Sequence, residues 1–120
     1  MIGRLHGPVL DCPEPAELAR FYCELLGATM IRDEPDWVAI EDDQGRRVSF
    51  QRSPDYRPPH FPDPRASQQM HFDVRVDDVD KAEQAVLAIG ATRLDGHGED
   101  FRVFADPVGH PFCLVWDNNS

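Results

Sequence analysis

Two hydrophobic periods alternate along the chain, and they occur twice in the same order. Val9 to Cys12 begins a strand-like run that Pro13 and Pro15 stop. Over residues 16–26, Leu18, Phe21, Tyr22, Leu25 and Leu26 recur at helical spacing, which predicts an amphipathic helix. Gly27 follows as its stop, because glycine takes the left-handed conformation at least cost. Three short strands are expected next, near 28–33, 36–42 and 46–52. The second half repeats the order. Met70–Val76 alternates as a strand, Asp77-Asp78 can cap the helix that follows, and Val79, Ala82, Val86 and Ile89 form its apolar stripe before Gly90. Strands are expected near 91–95, 101–105 and 111–117. The intervening turns contain Asp33-Glu34-Pro35, Asp43-Gln44-Gly45, Asp95-Gly96-His97-Gly98 and Asp106-Pro107-Val108-Gly109, all residues that favour turns.

The repetition extends to residue identity. Leu26-Gly27-Ala28-Thr29 returns as Ile89-Gly90-Ala91-Thr92, 63 residues on. Asp43-Gln44-Gly45 answers Asp106-Pro107-Val108-Gly109 with the glycines 64 apart, and Asp36-Trp37-Val38-Ala39-Ile40 sits 64 before Asp100-Phe101-Arg102-Val103-Phe104. Three matches at nearly one offset predict an internally duplicated α+β domain of two tandem βαβββ modules, forming a curved, partly open sheet with helices outside. Module one is placed at about 4–53 and module two at about 69–117. Between them, prolines at 54, 58, 59, 62 and 64 exclude a central strand, since proline lacks the ladder donor. This connection is either a plain linker or a stiff rim over a ligand, with Tyr56, His60 and Phe61 as contacts.

Strand alternation sorts the side chains into faces. Met70, Phe72, Val74 and Val76 point towards the helix, leaving Gln69, His71, Asp73 and Arg75 on the opposite face. Val48 and Phe50 pack against the first helix while Ser49 and Gln51 face away. Phe112, Leu114 and Trp116 pack likewise, leaving Cys113 and Val115 on the other side.

Composition changes this picture in only a few respects. A chain of 120 residues, 41% hydrophobic and 28% charged, suits one soluble domain. The formal net charge of −10 argues against nucleic-acid binding and against anionic membrane surfaces. No run approaches the roughly 20 apolar residues of a membrane span. The first residues, Met1 to His6, lack a secretory apolar run. Cys12, Cys23 and Cys113 are an odd set without metal-type spacing, so a disulfide framework is not expected and a reducing, cytoplasmic setting is.

The repeat, the strand Met70-His71-Phe72-Asp73-Val74, the helix entry Val76-Asp77-Asp78-Val79-Asp80 and the turn Phe104-Ala105-Asp106-Pro107-Val108-Gly109-His110-Pro111-Phe112 together resemble the vicinal-oxygen-chelate superfamily. It includes glyoxalase I, extradiol dioxygenases and bleomycin-resistance proteins, and the likeness is to its glyoxalase-like branch. The resemblance covers essentially the whole chain. It implies a small-molecule ligand or substrate, a homodimer and, in metal-dependent members, His and Glu ligands from both modules. Here the four corresponding positions read Gly7, Ser49, His71 and Cys113. Glycine offers no donor and a serine hydroxyl is a poor one for such ions. Gln51 shares a face with Ser49, yet His71, Cys113 and Gln51 match no usual set. No metal and no cofactor are therefore expected.

The leading expectation is a small-molecule-binding protein that sequesters a toxic or antibiotic-like compound or performs metal-free acid/base chemistry. Its pocket residues are Ser49, Gln51, Tyr56, His71, Asp73 and Cys113. His71 is the candidate acid/base, poised by Asp73. Cys113 is read either as an inert small hydrophobe or as a nucleophile beside His71. His110 is assigned to a turn, His97 to an exposed loop, and Trp37, Phe101 and Trp116 to core or dimer contacts. Rival expectations are a metal-dependent lyase, isomerase or dioxygenase, and a non-catalytic dimeric interaction protein.

Overall fold

The computed structural model describes residues 1–59 and 70–116. Two compact units divide the chain, Met1–Tyr56 and Arg57–Ser120. Each contains one βαβββ module with its own four-stranded mixed sheet, so the architecture is α+β in tandem. His60, Phe61 and Gln69 lie outside the described residues.

In the first unit the elements run β1 (Val9–Cys12), α1 (Pro15–Leu26), β2 (Thr29–Glu34), β3 (Trp37–Glu41) and β4 (Arg47–Arg52). The sheet order is β1-β4-β3-β2, with β1 parallel to β4 and the other pairs antiparallel. Pro15 opens α1 instead of stopping ahead of it; its missing N–H costs nothing in the first turn. Gly27 ends α1 at φ 64° and ψ 34°, the left-handed conformation the sequence requires. The helix is held by a full apolar face: Pro15, Leu18, Ala19, Phe21 and Tyr22 are buried. Tyr22 stacks on Phe50 of β4 at 5.6 Å and meets Phe21 edge-on at 5.0 Å.

The second unit carries β5 (Phe72–Arg75), α2 (Val79–Ala88), β6 (Thr92–His97), β7 (Phe101–Ala105) and β8 (Pro111–Val115). Its order, β5-β8-β7-β6, copies the first sheet. Asp78 caps α2 as expected, accepting from the Lys81 N–H at 3.2 Å. Both helices close with one shared bond, the Ala28 N–H donating to Cys23 O and the Ala91 N–H to Val86 O, 63 residues apart, but Ile89 at φ −101°, not the expected Gly90, caps α2. The docking of α2 differs, however. Only Val86 of the helix is buried, Val79 and Ala82 are half-buried, and ion pairs join the helix to the sheet. Arg102 on β7 reaches Glu83 at 2.9 Å and Asp80 at 3.1 Å, while Arg93 on β6 reaches Glu83 at 2.8 Å. Beneath them Phe104 stacks on Phe112 at 5.6 Å.

Three sequence expectations need correction. Met70 is 68% exposed and belongs to neither the strand nor the core. The Phe72↔Phe112 register sets position 71 opposite Pro111, which has no N–H to continue the ladder. The predicted turn at 95–98 is also displaced. β6 continues to His97, Gly96 sits within an irregular register at φ 129°, and the reversal falls at Gly98, whose N–H donates to Phe101 O. Lastly, Asp42, not Asp43, is the counterpart of Asp106. Asp42 accepts from the Gln44 and Arg46 N–H groups, and Asp106 from those of Val108 and His110. The two turns therefore share one hydrogen-bond pattern at an offset of 64.

Candidate functional site

On β5, alternation sends Phe72 and Val74 to the helix side and Asp73 to the helix-free face, with His71 two residues earlier on that face. The register places Asp73 beside Cys113 of β8, and Cys113 beside Val103 of β7. His71 Nε2 lies 3.2 Å from Asp73 Oδ1. The imidazole, carboxylate and thiol ligand atoms all lie within 4.8 Å of one another. Local chain geometry alone thus assembles three chemistry-bearing groups from two adjacent strands.

The floor of this cluster is apolar. Cys113 is 5% exposed and packs with Val103 and Val115, flanked by Leu94 and Phe101. Burial pushes the Cys113 thiol up to about 11, and the charge of Asp73 and a hydrogen bond to its carboxylate push the same way. The thiol is therefore a donor to Asp73 and stays protonated at neutral pH. Burial thus works against the thiolate that the nucleophile reading requires. His71 and Asp73 remain open to solvent, with side chains 36% and 45% exposed.

The corresponding positions of the first unit carry no such cluster. Ser49, beside Val9 of β1 and Ala39 of β3, is buried. Its N–H donates to Pro8 O at 3.0 Å. Gln51 lies next to Asp11 in register and donates to its carboxylate at 3.3 Å. Tyr56 is half-buried at the end of the unit, its N–H donating to Ser53 O. His6 lies 2.9 Å from Arg47 Nη1. Trp37 sits under Arg32 and Trp116 under Arg102, so both rings are taken up by guanidinium groups of their own sheets.

The donor set was compared with what the resemblance implies for a divalent ion. Gly7 has φ 149°, and a Cβ there would collide with the Arg47 carbonyl oxygen. No ligating side chain fits at 7 without moving that backbone. Ser49 offers only a neutral hydroxyl, and Cys113 a protonated thiol where a carboxylate is usual. These residues do not supply the His and Glu donors that the resemblance implies.

Sequence reasoning paired Asp73 with His71 on one face and set Cys113 beside His71. What it missed was the direct Asp73–Cys113 bond, which the parallel register of β5 and β8 creates. It missed Asp42 and Asp106 as matched turn-formers, although their common offset of 64 was visible. It also missed the Asp80–Glu83–Arg93–Arg102 network, whose members lie on three elements.

Among the described residues, no helix is long and apolar enough to cross a membrane. A family model described as a glyoxalase-like domain matches residues 8–115. No curated protein sequence matches the chain. Solved structures do. A glyoxalase/bleomycin resistance protein/dioxygenase family enzyme from Burkholderia phytofirmans is similar at a TM-score of 0.74 and 18% identity, covering 95% of this chain and 98% of that one. The fosfomycin resistance protein FosX from Mesorhizobium loti is similar at 0.69 and 15%, covering 98% and 95%. A hypothetical protein from S. aureus, SA1046, is similar at 0.70 and 20%, again covering 98% and 95%. At these identities the likeness is one of fold.

Proposed function

The chain belongs to the glyoxalase-like domain family, and from that premise we propose that it binds a small molecule at the helix-free face of its second module, using His71 for proton exchange without the family's divalent ion. The observation that carries this reading is the His71–Asp73 pair at 3.2 Å, with both side chains open to solvent above an apolar floor. A carboxylate holds an imidazole in one orientation, and an oriented imidazole can give or take a proton from a bound group. The Cys113 thiol bonds the same carboxylate from below, so Asp73 is fixed from two sides.

Resistance by sequestration is the companion possibility on the same face, supported by the likeness to a fosfomycin resistance protein. A cytoplasmic homodimer is the setting we propose for either activity. Ser49, Gln51 and Tyr56 are retained as ligand contacts of the first unit.

The test is ligand binding by chelator-treated protein, followed by NMR with a panel of small polar compounds that includes fosfomycin and bleomycin. The expected result is a saturable shift of the His71 ring and the Asp73 and Cys113 amides, weakened at least about tenfold by His71→Ala. Binding that disappears with the chelator and returns with a divalent ion would contradict the proposal. So would binding that leaves the second module's resonances unmoved.

A further inference from the structure

We propose that α2 is a releasable element of the second module, opening as a unit while its sheet stays folded, and that the Glu83–Arg93–Arg102 network is a latch unfastened by salt. The inference stands on how the helix is held and does not rest on the small-molecule reading. A helix of 10 residues is marginal alone in water, so α2 depends on its docking. The apolar part of that docking is thin. Val86 is the one buried side chain of α2, with Val79 and Ala82 half-buried, whereas α1 buries Pro15, Leu18, Ala19, Phe21 and Tyr22.

The ionic part converges on Glu83. Its Oε1 accepts from Arg93 Nη1 at 2.8 Å and from Arg102 Nη1 at 2.9 Å, so one carboxylate oxygen ties the helix to both β6 and β7. The Glu83 and Arg102 side chains are 24% and 25% exposed, which shields their pair from water only in part. Asp80 is 81% exposed and adds little. The sheet has ties of its own. Neither the β5-β8-β7-β6 ladder nor the Phe104–Phe112 stack includes a residue of α2. Arg93 lies over Phe104 at 5.5 Å and Arg102 over Trp116 at 5.7 Å, so both guanidinium groups stay placed to recapture Glu83.

Opening of the helix reaches the site through the chain. The Val76 N–H donates to Val115 O at 2.9 Å, and Asp78, two residues on, caps α2. Release of α2 therefore loosens the end of the strand that carries Asp73. The sign of the salt effect separates a latch from general electrostatics. A chain of net charge −10 repels itself, and screening relieves that repulsion, so salt should slow exchange wherever opening means global unfolding. An element held by attraction should do the reverse.

Native-state amide exchange of the full chain, followed by NMR at low salt and at about 1 M NaCl, tests this. The expected result is exchange of amides 82–88 at least about fivefold faster at high salt, with the Val76 N–H following them, while amides 18–26 of α1 hold or slow. Glu83→Gln keeps the side-chain shape and loses the charge. It should speed α2 exchange at low salt and remove most of its salt dependence. Glu24→Gln, exposed on α1, should leave α2 and its salt response unchanged. Circular dichroism shows whether each variant is folded, and Arg93→Gln, which removes one of the two donors to Glu83, carries the test if Glu83→Gln unfolds. Exchange of α2 at the rate of β8 in both salts would overturn the proposal, as would slowing of α2 by salt together with α1. An unchanged salt response in a folded Glu83→Gln or Arg93→Gln would do the same.

Discussion

The two modules share a chain path, a helix stop and an Asp-centred turn, yet they differ in what holds the helix and in what stands on the helix-free face. Module one docks its helix with Leu18, Phe21 and Tyr22 against Phe50. Module two docks its helix with Val86 and an ionic network. On the other face the order of investment reverses. Module one presents Val9, Ser49 and a Gln51–Asp11 bond, while module two presents His71, Asp73 and Cys113. The duplicated fold thus keeps the scaffold in both halves and places its concentrated chemistry in one.

The largest test of that comparison removes an aromatic from the better-packed module. Phe50→Ala should cost about 3–5 kcal/mol in urea unfolding, because it strips Tyr22 of its stacking partner in a fully buried site. Val86→Ala should cost about 1–2 kcal/mol, as it deletes a smaller side chain from a thinner interface. Equal costs would erase the contrast in helix docking.

The next test sets one turn against its copy. Asp106 is 2% exposed and accepts two backbone N–H bonds, so Asp106→Ala should cost about 2–3 kcal/mol. Asp42→Ala should cost less, because water can replace its bonds. The Arg46 N–H holds the Asp42 carboxyl below its usual range, helped by the Arg46 side chain and the Gln44 N–H. The stabilisation from Asp42 is therefore present above the ordinary carboxylate value of about 3.9 and is lost as pH falls through its lowered one. Amide exchange of Gln44 and Arg46 against pH checks this.

Smaller in stability, but closer to the site, is the effect at position 7. Gly7→Ala meets the Arg47 carbonyl and should cost about 1–3 kcal/mol, with loss of protection at the Ser49 N–H. Cost-free substitution would remove the reason given for the missing donor. At the small end lies alkaline pH. The Cys113 pKa is raised from an ordinary 9.0 to about 11, so its contribution is full below 9 and lost as pH climbs through 11. Stability should decline over that window in the wild type, and less so in Cys113→Ser.

The scaffold was legible because duplication made each element a check on its twin: Gly27 with Gly90, and Asp36–Ile40 with Asp100–Phe104. Boundaries failed where pairing, not pattern, decides. Met70 continues the alternation of its strand, but the Pro111 opposite position 71 ends the ladder. The run Asp95-Gly96-His97-Gly98 has turn composition throughout, and only the pairing of His97 with Arg102 shows that the strand goes on. For the site, alternation gave the faces of Ser49, His71, Asp73 and Cys113, and the resemblance singled out Ser49, His71 and Cys113. The carboxylate that bonds both imidazole and thiol needed the β5–β8 register, which no single-strand pattern contains.

The claim that the second module carries an oriented acid–base pair is tested most directly by the tautomer of His71. An ionised carboxylate only accepts hydrogen bonds, so the neutral ring facing Asp73 through Nε2 must carry its proton there. Long-range ¹H–¹⁵N NMR at mildly alkaline pH reads this directly. The account predicts a protonated Nε2 and a bare Nδ1 in the wild type, with that preference lost in Asp73→Asn. A proton on Nδ1, or a tautomer indifferent to Asp73, would contradict it.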